Sequence, residues 1–212
     1  MKERGVTLIE LLVTLVISSI VVAGIYRVFI AQTKAYTVQD QVVEIQQTVR
    51  GGMDILVRDI RMAGYDDDST SSTITITTPI AYPVSDNSIT VSYEYYDEST
   101  AQYQRHSIGY WRDAGSSTLF RQLTVNDVAG TPEVLLENVD ALNFTYGVDT
   151  DDDGNRDSWV SAANVGLSKV VAIRITLTAR PEKLSLDDER FKMIMPRTLV
   201  SAVALRNLCL SK

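Results

Sequence analysis

An apolar run from Val6 to about Phe29 is interrupted one turn from its start by a single carboxylate, Glu10, and is preceded by the short stretch Met1-Lys2-Glu3-Arg4-Gly5. A run of this length suits one helix crossing the hydrocarbon core of a bilayer. A charge inside such a run is costly unless something neutralises it. Cleavage after Gly5 would create a partner, because the new α-amine on Val6 is cationic near neutral pH. The amine would stand at a helix start, where the dipole also favours the carboxylate. Within one chain the two groups pair weakly across a turn. Between staggered chains, the amine of one neutralises Glu10 of the next, which sets a rule for side-by-side assembly. Two other readings remain. One is a cleaved secretory signal with Val21-Val22-Ala23 as its small-residue site; the other is a plain membrane anchor. Neither gives Glu10 a role.

The stretch Gly5-Val6-Thr7-Leu8-Ile9-Glu10-Leu11 resembles the prepilin-type (type III) signal of type IV pilins and type II secretion pseudopilins. The resemblance implies cleavage between Gly5 and Val6 by a prepilin peptidase, methylation of the Val6 amine, and packing of the apolar helix into a filament core. Val6 departs from the family, which usually has Phe at the first mature position.

Beyond the apolar run, Val28, Ala31, Ala35, Val38, Val42, Ile45 and Val49 recur at three- and four-residue spacing, and no proline occurs before Pro79. This pattern predicts one helix from Val6 to about Met62, roughly 85 Å long at about 1.5 Å per residue, against a bilayer core of about 30 Å. Met53, Leu56, Val57 and Ile60 continue the stripe, with Asp54, Arg58, Asp59 and Arg61 on the polar side. Gly51-Gly52 marks a bend, a place of close packing, or a tolerated weak point. Gly64 is placed to cap the helix. The segment Arg58-Asp59-Ile60-Arg61-Met62-Ala63-Gly64-Tyr65 is similar to the end of the stalk helix in PilW-type minor pilins, which implies docking onto a sheet through Met62 and Tyr65. A purely local role, with charges solvating an exposed face, fits these residues as well.

From Asp66 the composition turns to Ser, Thr, Asp and β-branched residues, and Asp66 to Ser72 reads as a solvated loop. Alternating patterns predict strands over 73–78, 88–96, 106–111, 118–123, 139–146, 170–179 and 191–198. Turn signals such as Ser85-Asp86-Asn87 and Ala114-Gly115-Ser116 separate them. Residues 198–207 suit a last strand or a short helix. The expected fold class is α+β and pilin-like, with a long N-terminal helix packed on a C-terminal, mainly antiparallel sheet domain. The expected division is a leader at 1–5, a membrane or filament-core helix at 6–30, an amphipathic stalk at 31–64 and a β-rich head at 65–212.

One segment suits an ion. Asp149, Asp151, Asp153, Gly154 and Asp157 fall at positions 1, 3, 5, 6 and 9 of an EF-hand loop, which would make the carbonyl of Asn155 the backbone ligand. An all-oxygen set of closely spaced carboxylates suits calcium, which relieves their mutual repulsion. Position 12 is Val160, not a bidentate glutamate. The Tyr146-Gly147-Val148-Asp149 strand end with its Asp-rich insertion resembles PilW-like proteins, and this favours calcium without identifying ligands. The bland reading is an acidic turn.

Charge and composition argue against other classes. The formal net charge is −7, and removal of a leader bearing Lys2, Arg4 and Glu3 takes it to −8. No cluster of Lys and Arg offers a nucleic-acid footprint, so no nucleic acid is expected. The single cysteine, Cys209, allows no intrachain disulfide; many pilins close a C-terminal loop with one. His106 is the only histidine and lies in a strand-like run. No nucleophile elbow, paired-histidine motif or phosphate loop is apparent, so an enzyme is not expected. Tyr93-Glu94-Tyr95-Tyr96 and Tyr103 suit either a ligand surface or cross-strand packing.

The resemblance implies a minor pilin that helps initiate pilus assembly at or near the tip. Its partners would be other minor and major pilins, the prepilin peptidase and the inner-membrane assembly platform. The chain would first span the inner membrane with a periplasmic head. Alternatives are a J-type minor pseudopilin of type II secretion, and a filament-displayed binding module, either an adhesin or a DNA-uptake component.

Overall fold

Without a proline to interrupt it, helix α1 runs unbroken through 54 residues, Leu8–Arg61. The computed structural model describes residues 6–67, 72–81, 84–166, 168–180 and 195–209. The chain divides into two compact units, Met1–Val43 and Glu44–Lys212.

In the first unit the described residues are helical from Leu8 onward, and their apolar side chains stand exposed. Several hydroxyls in this segment are satisfied within the helix. Thr14 Oγ1 donates to the Glu10 carbonyl at 2.7 Å, Ser19 Oγ to that of Val16 at 2.7 Å and Thr33 Oγ1 to that of Phe29 at 2.9 Å. Back-bonding of this kind removes the need for water or a neighbour to serve these groups. It makes an apolar surface compatible with lipid or with other helices.

In the second unit the rest of α1 packs on two antiparallel sheets. The first contains β1 (Ser88–Asp97), β2 (Gln102–Asp113), β3 (Thr118–Val125), β4 (Val128–Ala129) and β5 (Glu133–Leu136), in the order β1-β2-β3-β4 with β5 also paired to β3. The second has the order β7-β6-β8-β9, from β6 (Val139–Asp149), β7 (Ser158–Val160), β8 (Lys169–Ala179) and β9 (Arg197–Ala204). A short helix α2 (Arg206–Cys209) follows. Residues 198–207 therefore combine both expected forms, strand and then helix.

Ile45, Val49, Met53, Leu56 and Ile60 of α1 are buried, as are strand residues such as Ile108, Leu142, Phe144, Ile173, Ile175 and Leu177. Full burial of a side chain of this size stabilises by about 1.5–3 kcal/mol. Gly52 resolves as close packing, since a Cβ there would lie 3.7 Å from Leu136 and 3.9 Å from Leu177, while Gly51 faces open space. The helix continues through both. It ends where Gly64 takes a φ of +75° and its N–H donates to Ser92 O of β1 at 2.9 Å, the left-handed stop expected of glycine.

Three expectations are corrected. Docking at the helix end runs through Ile60 and Ala63, both 0% exposed, whereas Met62 is 36% and Tyr65 40% exposed. Asp59, assigned to the polar side, is buried. Residues 73–78 form no strand: Ile74 N donates to Ser72 Oγ at 3.1 Å and Ile76 N to Asp66 Oδ2 at 3.1 Å, so side chains take donors that a ladder would have used. The outer edge of β1 is instead covered by Pro79–Ala81 and by Gly64–Tyr65, through backbone bonds of 2.8–3.0 Å. That cover removes an exposed edge. Of the strand expected at 191–198, residues 191–194 lie outside the described residues, and the ladder starts at Arg197.

The shortest strands carried too few residues to show a period. β4 is joined to β3 by Asn126-Asp127, both with positive φ, a two-residue turn of the type that matches strand twist.

Candidate functional site

The amino-terminal turn is built by a reciprocal cap. Thr7 precedes the first helical residue, and its carbonyl accepts from Leu11 N at 3.2 Å. Glu10 reaches back, so that its Oε2 accepts from Thr7 N at 2.9 Å and from Thr7 Oγ1 at 2.9 Å. This is the glutamate half of a capping box, which satisfies a backbone donor that the helix leaves orphaned. The spacing Thr7-x-x-Glu10 signals it in the sequence, yet reasoning from charge alone misses it. Glu10 thus has a local partner independent of any amine, and both bonds use one carboxylate oxygen. Val6 is 76% exposed, and Gly5 lies outside the described residues. Around Glu10 the exposed apolar side chains of Leu8, Ile9, Leu11, Leu12 and Val13 form the surface that a neighbouring helix would meet.

The Asp-rich loop joins β6 to β7. Asp149, Asp151 and Asp153 each place a carboxylate oxygen within 4.8 Å of the others. Asp149 is 3% exposed, because it closes the loop on itself: its Oδ1 accepts from Asp152 N at 2.8 Å and its Oδ2 from Gly154 N at 2.9 Å. Asp153 accepts from Asn155 N at 2.7 Å and Asn155 Nδ2 at 2.9 Å. Asp157 is engaged elsewhere, accepting from Thr150 N at 2.7 Å and Thr150 Oγ1 at 2.5 Å. The structure therefore gathers three of the four candidate carboxylates and ties the fourth, Asp157, to the loop base. The Asp153 carboxylate pushes the Asp151 carboxyl above its ordinary range, whereas the Thr150 bonds hold that of Asp157 below. Repulsion at Asp151 is what a cation would relieve.

The tyrosines pack on one another. Tyr93 and Tyr95 flank His106, with ring centroids 5.6 Å and 4.5 Å away, and Tyr96 meets its cross-strand partner Tyr103 at 5.0 Å. Burial pushes His106 below its usual range, with Asp97 opposing. Glu94, between the tyrosines in sequence, is 1% exposed. It accepts from Asp67 N at 2.7 Å and from Ser72 Oγ, anchoring the segment after α1.

Comparison with known proteins adds three findings. The prokaryotic N-terminal methylation motif matches residues 1–26. The PilW family, described as type IV pilus-assembly protein W, matches residues 104–206. Among solved structures, a type IV-like pilin from Thermus thermophilus is similar at 14% identity and a TM-score of 0.48, covering 77% of this chain and 97% of that one. No curated protein matches the chain. The methylation motif lies on the segment that carries Glu10, and the PilW match runs from β2 to α2 of the second unit, leaving β1 outside. The chain thus carries a prepilin-type methylation motif at its amino terminus and is similar to the PilW family over residues 104–206.

Proposed function

We propose that this chain is a minor pilin, a structural subunit without enzymatic activity that helps initiate assembly of a type IV pilus and sits at or near its tip. The observation that carries the reading is a lone carboxylate at the start of an apolar helical segment that buries none of its residues. In this mechanism the chain enters the inner membrane with its second unit in the periplasm. Prepilin peptidase cuts between Gly5 and Val6, and the Val6 amine is methylated. The apolar helix then docks laterally, with Glu10 of one subunit meeting the amine of the next in a medium where neither charge is stable alone. Crosslinking in the intact envelope tests the reading: capture of other minor pilins supports it. Capture of secretion pseudopilins alone sinks it and assigns the chain to a type II secretion pseudopilus.

We further propose that Asp149, Asp151 and Asp153 hold calcium. Three clustered carboxylates with an all-oxygen donor set fit a hard cation, and the ion would stiffen the β6–β7 loop. With no glutamate at position 12, affinity is expected in the weak range of extracellular modules, about 10⁻⁴–10⁻³ M. Calorimetry on the detergent-solubilised chain, with intrinsic fluorescence reporting on nearby Trp159, should show saturable binding that an Asp151→Asn, Asp153→Asn double variant abolishes. A flat titration at millimolar calcium removes the site.

A further inference from the structure

Beside the acidic loop, two arginines share one tryptophan. The guanidinium carbon of Arg174 lies 4.1 Å from the Trp159 ring centroid, and that of Arg156 lies 4.6 Å from it. Ring contacts of this kind hold a guanidinium plane in place and leave its N–H edges to make hydrogen bonds. Arg156 is exposed; Trp159 and Arg174 are half-buried. Among the described residues, neither arginine forms an ion pair with a carboxylate.

The backbone is adapted to this arrangement. Trp159 pairs in register with Gly147, and a Cβ at Gly147 would lie 2.6 Å from Arg156 Cδ, 2.9 Å from its Cγ and 3.0 Å from Ala172 Cβ. Only a glycine lets the Arg156 stem lie down on the strand. Directly across from Arg174 in the ladder is Thr145.

We infer that Arg156, Trp159 and Arg174 form a recognition platform for carboxylates, occupied by an acidic segment of a neighbouring protein subunit. Paired planar forks match carboxylate geometry and are preorganised by the indole, so little side-chain freedom is lost on binding. The inference deepens the reading of the chain as an assembly subunit by naming the chemistry of one contact. It concerns the second unit only and is independent of Glu10.

The test uses the full chain in detergent micelles and a fluorescein-labelled hexa-aspartate peptide, read by anisotropy at low salt. Saturable binding is expected, weakened about tenfold or more in R156Q, in R174Q and in 0.5 M NaCl, as charge-assisted contacts require. R174K should recover only part of the affinity, because lysine keeps the charge and loses the fork. Gly147→Ala, which lifts the Arg156 stem, should behave like R156Q. Arg156 is exposed, so R156Q remains informative even where R174Q unfolds. Equal affinity in the wild type and the R156Q/R174Q double variant overturns the inference, as does absence of saturable binding at low salt. Binding to anionic-lipid vesicles with no binding of peptide also overturns it. Because this is measured on the isolated chain, a negative result leaves Glu10-dependent incorporation untouched.

Discussion

Replacing Glu10 with alanine should yield a chain that is synthesised, inserted and clipped normally but is depleted about tenfold or more from sheared filaments, because the neighbour's amine then enters an apolar environment without a counter-charge. The measurement is an immunoblot of the sheared and membrane fractions, with the mobility shift of the leader as a control for processing. A second variant separates the capping bond seen at Glu10 from its proposed pairing with a neighbour's amine. Glu10→Gln keeps an oxygen able to accept from Thr7 N, where the native bond is 2.9 Å, but it abolishes the charge. If the glutamate served only as a helix cap, Glu10→Gln would assemble normally. If pairing with the amine governs assembly, Glu10→Gln should fail almost as completely as Glu10→Ala. Wild-type incorporation of Glu10→Ala sinks the pairing mechanism.

The largest effect on folding is expected at Asp59. Its Oδ2 accepts from Tyr110 OH at 2.6 Å and from Arg121 Nε at 3.0 Å, inside the junction of α1 with the first sheet. The Asp59 side chain is 8% and that of Arg121 22% exposed, so the pair is largely withdrawn from water. Removing one partner strands the other, and Asp59→Ala should destabilise the second unit by about 3 kcal/mol. That is a large part of a typical domain stability of about 5–15 kcal/mol. Glu133 cannot replace the lost partner, since its carboxylate stands 3.9 Å from Arg121 and is 72% exposed. Tyr110→Phe should cost less, about 1.5–3 kcal/mol, for one hydrogen bond to a charged acceptor.

Both tryptophans, Trp111 and Trp159, lie in this unit, so denaturant unfolding followed by fluorescence reads it directly. The same group carries a pH signature. Burial first, then the bond to Asp59, raises the Tyr110 hydroxyl above its ordinary value. A raised folded-state value means that the native chain holds a proton the unfolded chain releases. The stabilisation is complete below the unfolded value near 10 and is lost as pH climbs from there through the folded value. Tyr110→Phe should therefore flatten the alkaline loss without abolishing it, because burial raises Tyr93 in the same direction. An unchanged alkaline slope in Tyr110→Phe removes Tyr110 from the account, and wild-type stability of Asp59→Ala removes the buried pair.

What the sequence determined by itself was local in origin. The helix was legible because its period, its lack of proline and the glycine at 64 act within a few residues of one another. The amino-terminal signal was legible because the consecutive residues Gly5-Val6-Thr7-Leu8-Ile9-Glu10-Leu11 resemble a known motif. Six of the seven expected strands coincide at least in part with observed ones, since alternation reports which face meets the core. The exception, 73–78, has the right alternation, but Ser72 and Asp66 took its backbone donors, and no local pattern announces that competition.

Tertiary structure decided the rest. Asp59 sits three residues after Leu56 and one before Ile60, inside the buried stripe, yet its acidic side chain reads as a surface residue until Tyr110 and Arg121 arrive from other strands. Glu94 likewise changes from an exposed residue among tyrosines to a buried anchor once residues 67 and 72 fold over it. The Asp-rich loop shows the same division. Spacing nominated five ligands, and only the fold revealed that Asp157 is committed to Thr150 while three carboxylates converge. Periodicity records which residues leave water; it carries no record of which distant partner makes a buried charge affordable, because that partner is brought in by the sheet.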